Sequence, residues 1–171
     1  MQVDISRALK DPGQSYPFEA TAELEPMTVL NDPVTFTNIS LKGDMVGAGD
    51  AVRVSVSVEA DVETRCALCL EPAFLHLETE IDALFSHEPD FDDPDIDQYQ
   101  LVGSKIETDD LAREALLPAL PWRIVCKEGC KGICPVCGTN LNKAPCTCQE
   151  GGNRQNPFSA LSELLTEDEE V

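Results

Sequence analysis

Histidine, basic residues and long apolar runs are scarce in this chain, and each scarcity removes a class of function. Two of its 171 residues are histidine, His76 and His87. A catalytic zinc keeps an open position, usually beside His or a carboxylate, and neither histidine is placed to serve one. His76 falls on the polar side of an alternating stretch and His87 in an acidic run, so both read as solvated residues. No Ser-His-Asp set, phosphate loop or nucleotide fingerprint occurs, and the sequence argues against an enzyme. No apolar run approaches the ~18 residues a membrane helix needs. The opening "MQVDISRALKDPG" also lacks the apolar stretch of a signal peptide. The expectation is a soluble cytoplasmic protein that contacts no membrane and takes no small-molecule substrate. No solenoid-type repeat is present.

Positive charge is the other shortage. Lys and Arg number 12 against 32 Asp and Glu, a formal net charge of −20. The acids cluster: "HEPDFDDPDIDQ" (87–98) holds six without one Lys or Arg, and the chain closes on "TEDEEV". Such runs repel themselves and stay solvated as a loop and a tail. A surface of this kind gains little from phosphate counterion release. A basic protein partner suits it better.

What the chain does have is patterning. Residues 52–62, "VRVSVSVEADV", alternate with Val52, Val54, Val56, Val58, Ala60 and Val62 on one face, the signature of a half-buried strand. The alternation resumes over 75–85 with Leu77, Ile81, Ala83 and Phe85, so the two form an antiparallel hairpin whose tip is "CALC", residues 66–69. "VTFTNISLKGDMVGAGDA" adds a strand and a Gly-rich turn, and "VDISRAL" and "FEATAEL" are weaker strand candidates. A helix begins at Ser104, with Glu107 as its capping-box partner, or at Thr108, with Asp109 and Asp110 in the first turn. Leu111, Ala112, Ala115 and Leu116 make its apolar stripe, and Pro118 and Pro121 end or kink it. Trp122 reads as a core residue capping the sheet. Near the end, "NPFSALSELL" offers Asn156 as N-cap, Pro157 at the first helical position and Phe158, Leu161, Leu164 and Leu165 as a docking face. The expected class is α+β: a mostly antiparallel sheet with one packed helix over 1–121, and a cysteine-rich zinc-binding module over 122–150 joined to the 66–69 tip. A docking helix and acidic tail follow over 151–171.

Six of the eight cysteines lie within "VCKEGCKGICPVCGTNLNKAPCTC" (125–148). In a reducing compartment such clusters hold metal or do redox chemistry more often than they form disulfides. Cys134-Pro-Val-Cys137 followed by Gly138 is a zinc-knuckle pattern, because the turn supplies two thiolates and the glycine takes the positive φ that aims N–H groups at the sulfurs. Cys146 and Cys148 complete a local set of four. Cys66, Cys69, Cys126 and Cys130 then make a second. This pairing closes the shorter loops, so two Zn²⁺ are expected. A zinc ribbon joining Cys66 and Cys69 to Cys134 and Cys137 remains open. An iron–sulfur reading meets the wrong cysteine spacing, and a redox role for Cys66-x-x-Cys69 lacks the helix N-terminus that lowers a thiol pKa. Residues 122–154 hold Arg123, Lys127, Lys131, Lys143 and Arg154 against Glu128 and Glu150. Each zinc with four thiolates carries a formal charge of about −2, so two sites bring this stretch near neutrality and RNA contact is possible but secondary.

Taken together, a hairpin bearing "RCALCLEP", a helix ending "ALLPALP", the block "CKEGCKGICPVCGTNLN", a Cys-x-Cys pair and a closing "NPFSALSELL" resemble the bacterial and plastid YceD family over roughly residues 50–165. The resemblance implies a non-enzymatic factor needed for accumulation of 23S ribosomal RNA, and hence a role in large-subunit ribosome biogenesis with a ribosomal protein, assembly factor or rRNA as partner. Some members of the family keep the hairpin pair but lack the "CPVCG" block, which implies that Cys66, Cys69, Cys126 and Cys130 form the shared site. Pro118 departs from relatives in which the helix is often continuous.

Overall fold

A computed structural model describes residues 1–89 and 97–148. In chain order the elements are β1 (Gln2–Asp4), α1 (Ser6–Lys10), β2 (Ser15–Thr21), β3 (Met27–Val29), β4 (Asp32–Ala48), β5 (Ala51–Arg65), β6 (Pro72–Ser86), β7 (Asp97–Gln100), β8 (Lys105–Glu107) and α2 (Thr108–Ala119). The main sheet runs β2-β4-β5-β6-β7, with β3 on the first residues of β4. Its pairings are antiparallel except β6–β7, which is parallel. β1 and β8 form a separate antiparallel pair. Among the described residues the fold is therefore mostly strand with two helices. The chain divides into two compact units, Met1–Cys130 and Lys131–Val171. No described helix is long and apolar enough to cross a membrane.

The alternation in β5 decides which face of the sheet is dry. Val52, Val54, Val56, Val58, Ala60 and Val62 are each at most 3% exposed, while Arg53 and Ser55 on the other parity are open. Burying each such valine contributes on the order of 1.5–3 kcal/mol. Leu111, Ala112, Ala115 and Leu116 of α2 close over this face, buried at i, i+1, i+4 and i+5 spacing. At the other end, α1 approaches β4 so closely that a Cβ at Gly47 would lie 2.0 Å from the Ala8 carbonyl oxygen. Only glycine fits there.

Four expectations are corrected. "VDISRAL" is not one strand: β1 stops at Asp4, whose carboxylate accepts the Ser6 N–H at 2.8 Å, and this turn opens α1, so the buried Ile5 and Ala8 follow helical spacing. The sheet thus carries two helices rather than one. Of the two starts expected for α2, the Ser104 capping box does not form, because Ser104 precedes β8 and Glu107 ends it, and the Thr108 start holds. The buried Thr108 hydroxyl stands 2.8 Å from the Met1 carbonyl and 3.0 Å from that of Thr21. Trp122 is 87% exposed. The face it was expected to cap is already filled by the two helices, and its stretch is held by Ile124 and Val125 instead. Pro118 lies inside the last turn of α2, which ends one residue later. The docking helix at 156–165, the acidic tail, and residues 90–96 of the acidic loop lie outside the described residues.

Candidate metal centre

Both Cys-x-x-Cys turns have the same backbone. At the β5–β6 tip the Cys66 N–H donates to the Glu71 carbonyl (2.8 Å), the Leu70 N–H returns to the Cys66 carbonyl (3.0 Å), and the Leu68 N–H points at the Cys66 Sγ (3.4 Å). Sixty-eight positions on, the Cys134 N–H donates to Thr139 (2.8 Å), the Gly138 N–H to Cys134 (2.9 Å), and the Val136 N–H points at the Cys134 Sγ (3.4 Å). The residue after the second cysteine takes a positive φ in both: 62° at Leu70 and 73° at Gly138. Glycine adopts that conformation freely and leucine at a cost.

The first turn is held from below by the chain leaving α2. The Ala67 N–H donates to the Ile124 carbonyl at 2.9 Å, and Leu68, Ile124 and Val125 pack around Cys66, Cys69 and Ala73. This contact brings Cys126 and Cys130 to the tip. The Cys66–Cys130 sulfurs stand 3.8 Å apart, Cys69–Cys126 3.5 Å and Cys126–Cys130 3.7 Å. In the second unit, Asn140 and Asn142 shape the loop that returns toward Cys134. The Asn142 side-chain oxygen accepts the Lys131 N–H (3.0 Å), that of Asn140 accepts the Asn142 N–H (3.0 Å), and the Leu141 N–H donates to Gly132 (2.9 Å). Within each of the sets Cys66/Cys69/Cys126/Cys130 and Cys134/Cys137/Cys146/Cys148, all four sulfurs lie within 4.8 Å of one another. The ribbon pairing of Cys66 and Cys69 with Cys134 and Cys137 is not the one the sulfurs adopt.

These distances suit a metal ion. A disulfide requires about 2.05 Å between sulfurs, whereas sulfurs on a tetrahedron with arms of about 2.3 Å stand about 3.8 Å apart. The electrostatics agree. Burial works against ionising Cys66, yet backbone N–H groups of Cys126, Leu68 and Cys69 hold its thiol down to about 6. The hydrogen bond that its thiol donates to the Cys69 sulfur, then burial, push Cys126 up to about 12. Cys137 is likewise lowered to about 6, first by the Thr139 hydroxyl 3.2 Å away, while Cys148 beside it is pushed up to about 12. One sulfur in each set ionises readily, and Cys69 and Cys126 in the first and Cys146 and Cys148 in the second then resist. A bound dication removes that opposition. Two groups of four cysteines could thus each hold a metal ion.

Spacing drew attention to all eight cysteines but not to Leu70, Thr139, Asn140 and Asn142, which shape the turns. The asparagines carried a signal, since Asx turns favour them; Leu70 carried none. His76 is exposed and pairs with Asp61 at 2.9 Å, and His87 is exposed with Nδ1 3.0 Å from the Leu101 carbonyl. Neither belongs to a four-cysteine set.

Comparison with known proteins adds a family to this geometry. Residues 54–165, a span containing all eight cysteines, match the family described as large ribosomal RNA subunit accumulation protein YceD. An uncharacterized protein of Mycobacterium tuberculosis is 29% identical over 153 residues, covering 85% of this chain and 72% of the relative, and one of Mycobacterium bovis matches equally. The uncharacterized protein YlbN of Bacillus subtilis is 25% identical over 164 residues, 93% of each chain. No solved structure matches.

Proposed function

The chain belongs to the YceD family of large ribosomal RNA subunit accumulation proteins, and from that premise we propose that it is a non-enzymatic cytoplasmic factor of large-subunit biogenesis, stapled by two structural Zn²⁺ ions. The observation that carries the metal reading is the sulfur spacing of 3.5–3.8 Å in the first set. Four thiolates with no open position describe a structural rather than a catalytic zinc. Cys66, Cys69, Cys126 and Cys130 hold one ion, and Cys134, Cys137, Cys146 and Cys148 the other. The first ion fixes the hairpin tip to the segment that follows α2. The second closes a loop that has little apolar core of its own.

The factor acts by binding. Its charge of −20 favours a basic ribosomal protein or assembly factor as partner, with rRNA contact secondary. Depletion in a host that carries the gene tests the assembly role directly: large subunits and their rRNA fall relative to small subunits in gradient profiles, and the intact gene restores them. Unchanged profiles would overturn it. An iron–sulfur protein in this sequence would instead show visible absorption near ~400 nm after purification; a colourless protein is expected.

A further inference from the structure

A hollow of about 760 Å³ lies between the end of the main sheet and the first turns of α2, its described lining residues all within the first unit. Its walls combine two chemistries. Phe85 and Tyr99 stack with ring centroids 5.3 Å apart, and with Leu111 they give it an apolar side; Val102, 81% exposed, also lines it. Glu107, Asp110 and Glu114 supply carboxylates, and Lys105 is the one cationic side chain among the described lining residues. Burial, and then the charges of Glu114 and Asp97, raise the Tyr99 phenol above its ordinary pKa, so its ring sits in a negative field. Glu107 and Asp110 are shared with an adjoining hollow of about 490 Å³, lined also by Glu23, Glu25 and Asp109. The acidic wall therefore continues beyond the groove, although Arg113 also lines that hollow and engages Asp110 at 2.8 Å, and the N-terminal ammonium pairs with Asp109 at 2.7 Å.

We propose that this groove is a docking site for a basic segment of a partner protein, an arginine-bearing stretch with apolar residues between its cations. An aromatic ring flanked by carboxylates is a receptor for a guanidinium, which stacks on the one and pairs with the other. The apolar side then takes the neighbouring residue. A nucleic-acid backbone would meet Glu107, Asp110 and Glu114 with like charge, and a second copy of this chain brings a further −20. The inference rests on the reading of the chain as a binding factor, and it names the surface and the chemistry that the reading leaves open.

The test uses the full metal-loaded chain at about 150 mM salt and a short fluorescein-labelled peptide of alternating arginine and leucine, read by anisotropy. Saturable binding is expected, with none for the counterpart carrying glutamate in place of arginine. Glu114→Lys and Val102→Ser, both at exposed positions, should weaken binding, the first by about fivefold or more and the second by about threefold or more. Glu78→Lys makes the same charge change at an exposed residue outside the groove and should stay within about twofold. Melting temperature and metal content of each variant verify its folding. Equal weakening by Glu78→Lys and Glu114→Lys would mean diffuse attraction and overturn the proposal, as would no binding or an inert Val102→Ser. Peptide binding that survives while depletion leaves ribosomal subunits unchanged would sink the assembly reading and spare the groove.

Discussion

Leu70 and Gly138 occupy equivalent places in two matching turns, and they show how one residue's backbone freedom bears on a metal site. A Cβ at Gly138 would touch nothing within 4 Å, so Gly138→Ala carries a purely conformational cost, about 1–2 kcal/mol. We predict that competition with a chelator shows weaker metal retention in the second set of that variant and no change in the first. Leu70→Gly should leave the first set's retention unchanged or improved. A second residue-scale prediction concerns His76. The Asp61 carboxylate beside it raises the imidazole above its ordinary 6.5. Its ion pair therefore contributes below the unfolded value and is lost as pH rises through the folded one. NMR titration should find His76 above 6.5, and Asp61→Asn should bring it down. The cysteines were legible from spacing because metal chemistry restricts both residue type and separation. The φ of Leu70 was not, since nothing in a leucine marks a left-handed turn.

Among the elements, β5 and β6 were legible because one face is dry and the other wet, so the alternation survives in the sequence. β7, β8 and α1 were not. Strands of three or four residues owe their existence to the partners they pair with, as the parallel register of Ala83–Ser86 with Asp97–Gln100 shows. The stripe of α2 was readable, and its start was narrowed to two: Thr108 is the one the helix takes, because pairing of Lys105–Glu107 with β1 overrides the capping box that the Ser104–Glu107 spacing fits. Packing of α2 makes a direct prediction. Leu116 is fully buried against the sheet, so Leu116→Ala should cost about 2–5 kcal/mol in urea unfolding. An exposed change such as Glu114→Gln should cost about 0.5 kcal/mol or less.

For the molecule as a whole, the two units differ in what holds them. The first has an extended apolar core. In the described part of the second, Cys134 is the one buried residue counted with the hydrophobic core. A metal held by its four cysteines would supply the constraint that such a loop lacks. Chelation at neutral pH should therefore collapse the amide dispersion of residues 131–148 in NMR spectra, while the signals of β5 and α2 stay dispersed. Equal loss in both units would contradict this division. A role in large ribosomal RNA subunit accumulation lies beyond what spacing and periodicity carry; it is the family match over residues 54–165 that implies it.

The central claim is two separate four-cysteine zinc sites, and metal stoichiometry tests it most directly. Native mass spectrometry of the wild type should find two zinc ions per chain. Cys66→Ser and Cys137→Ser should each lose one, and the double variant Cys66→Ser/Cys137→Ser should lose both. A double variant that still holds one zinc would mean that both residues serve the same ion, and would contradict the account.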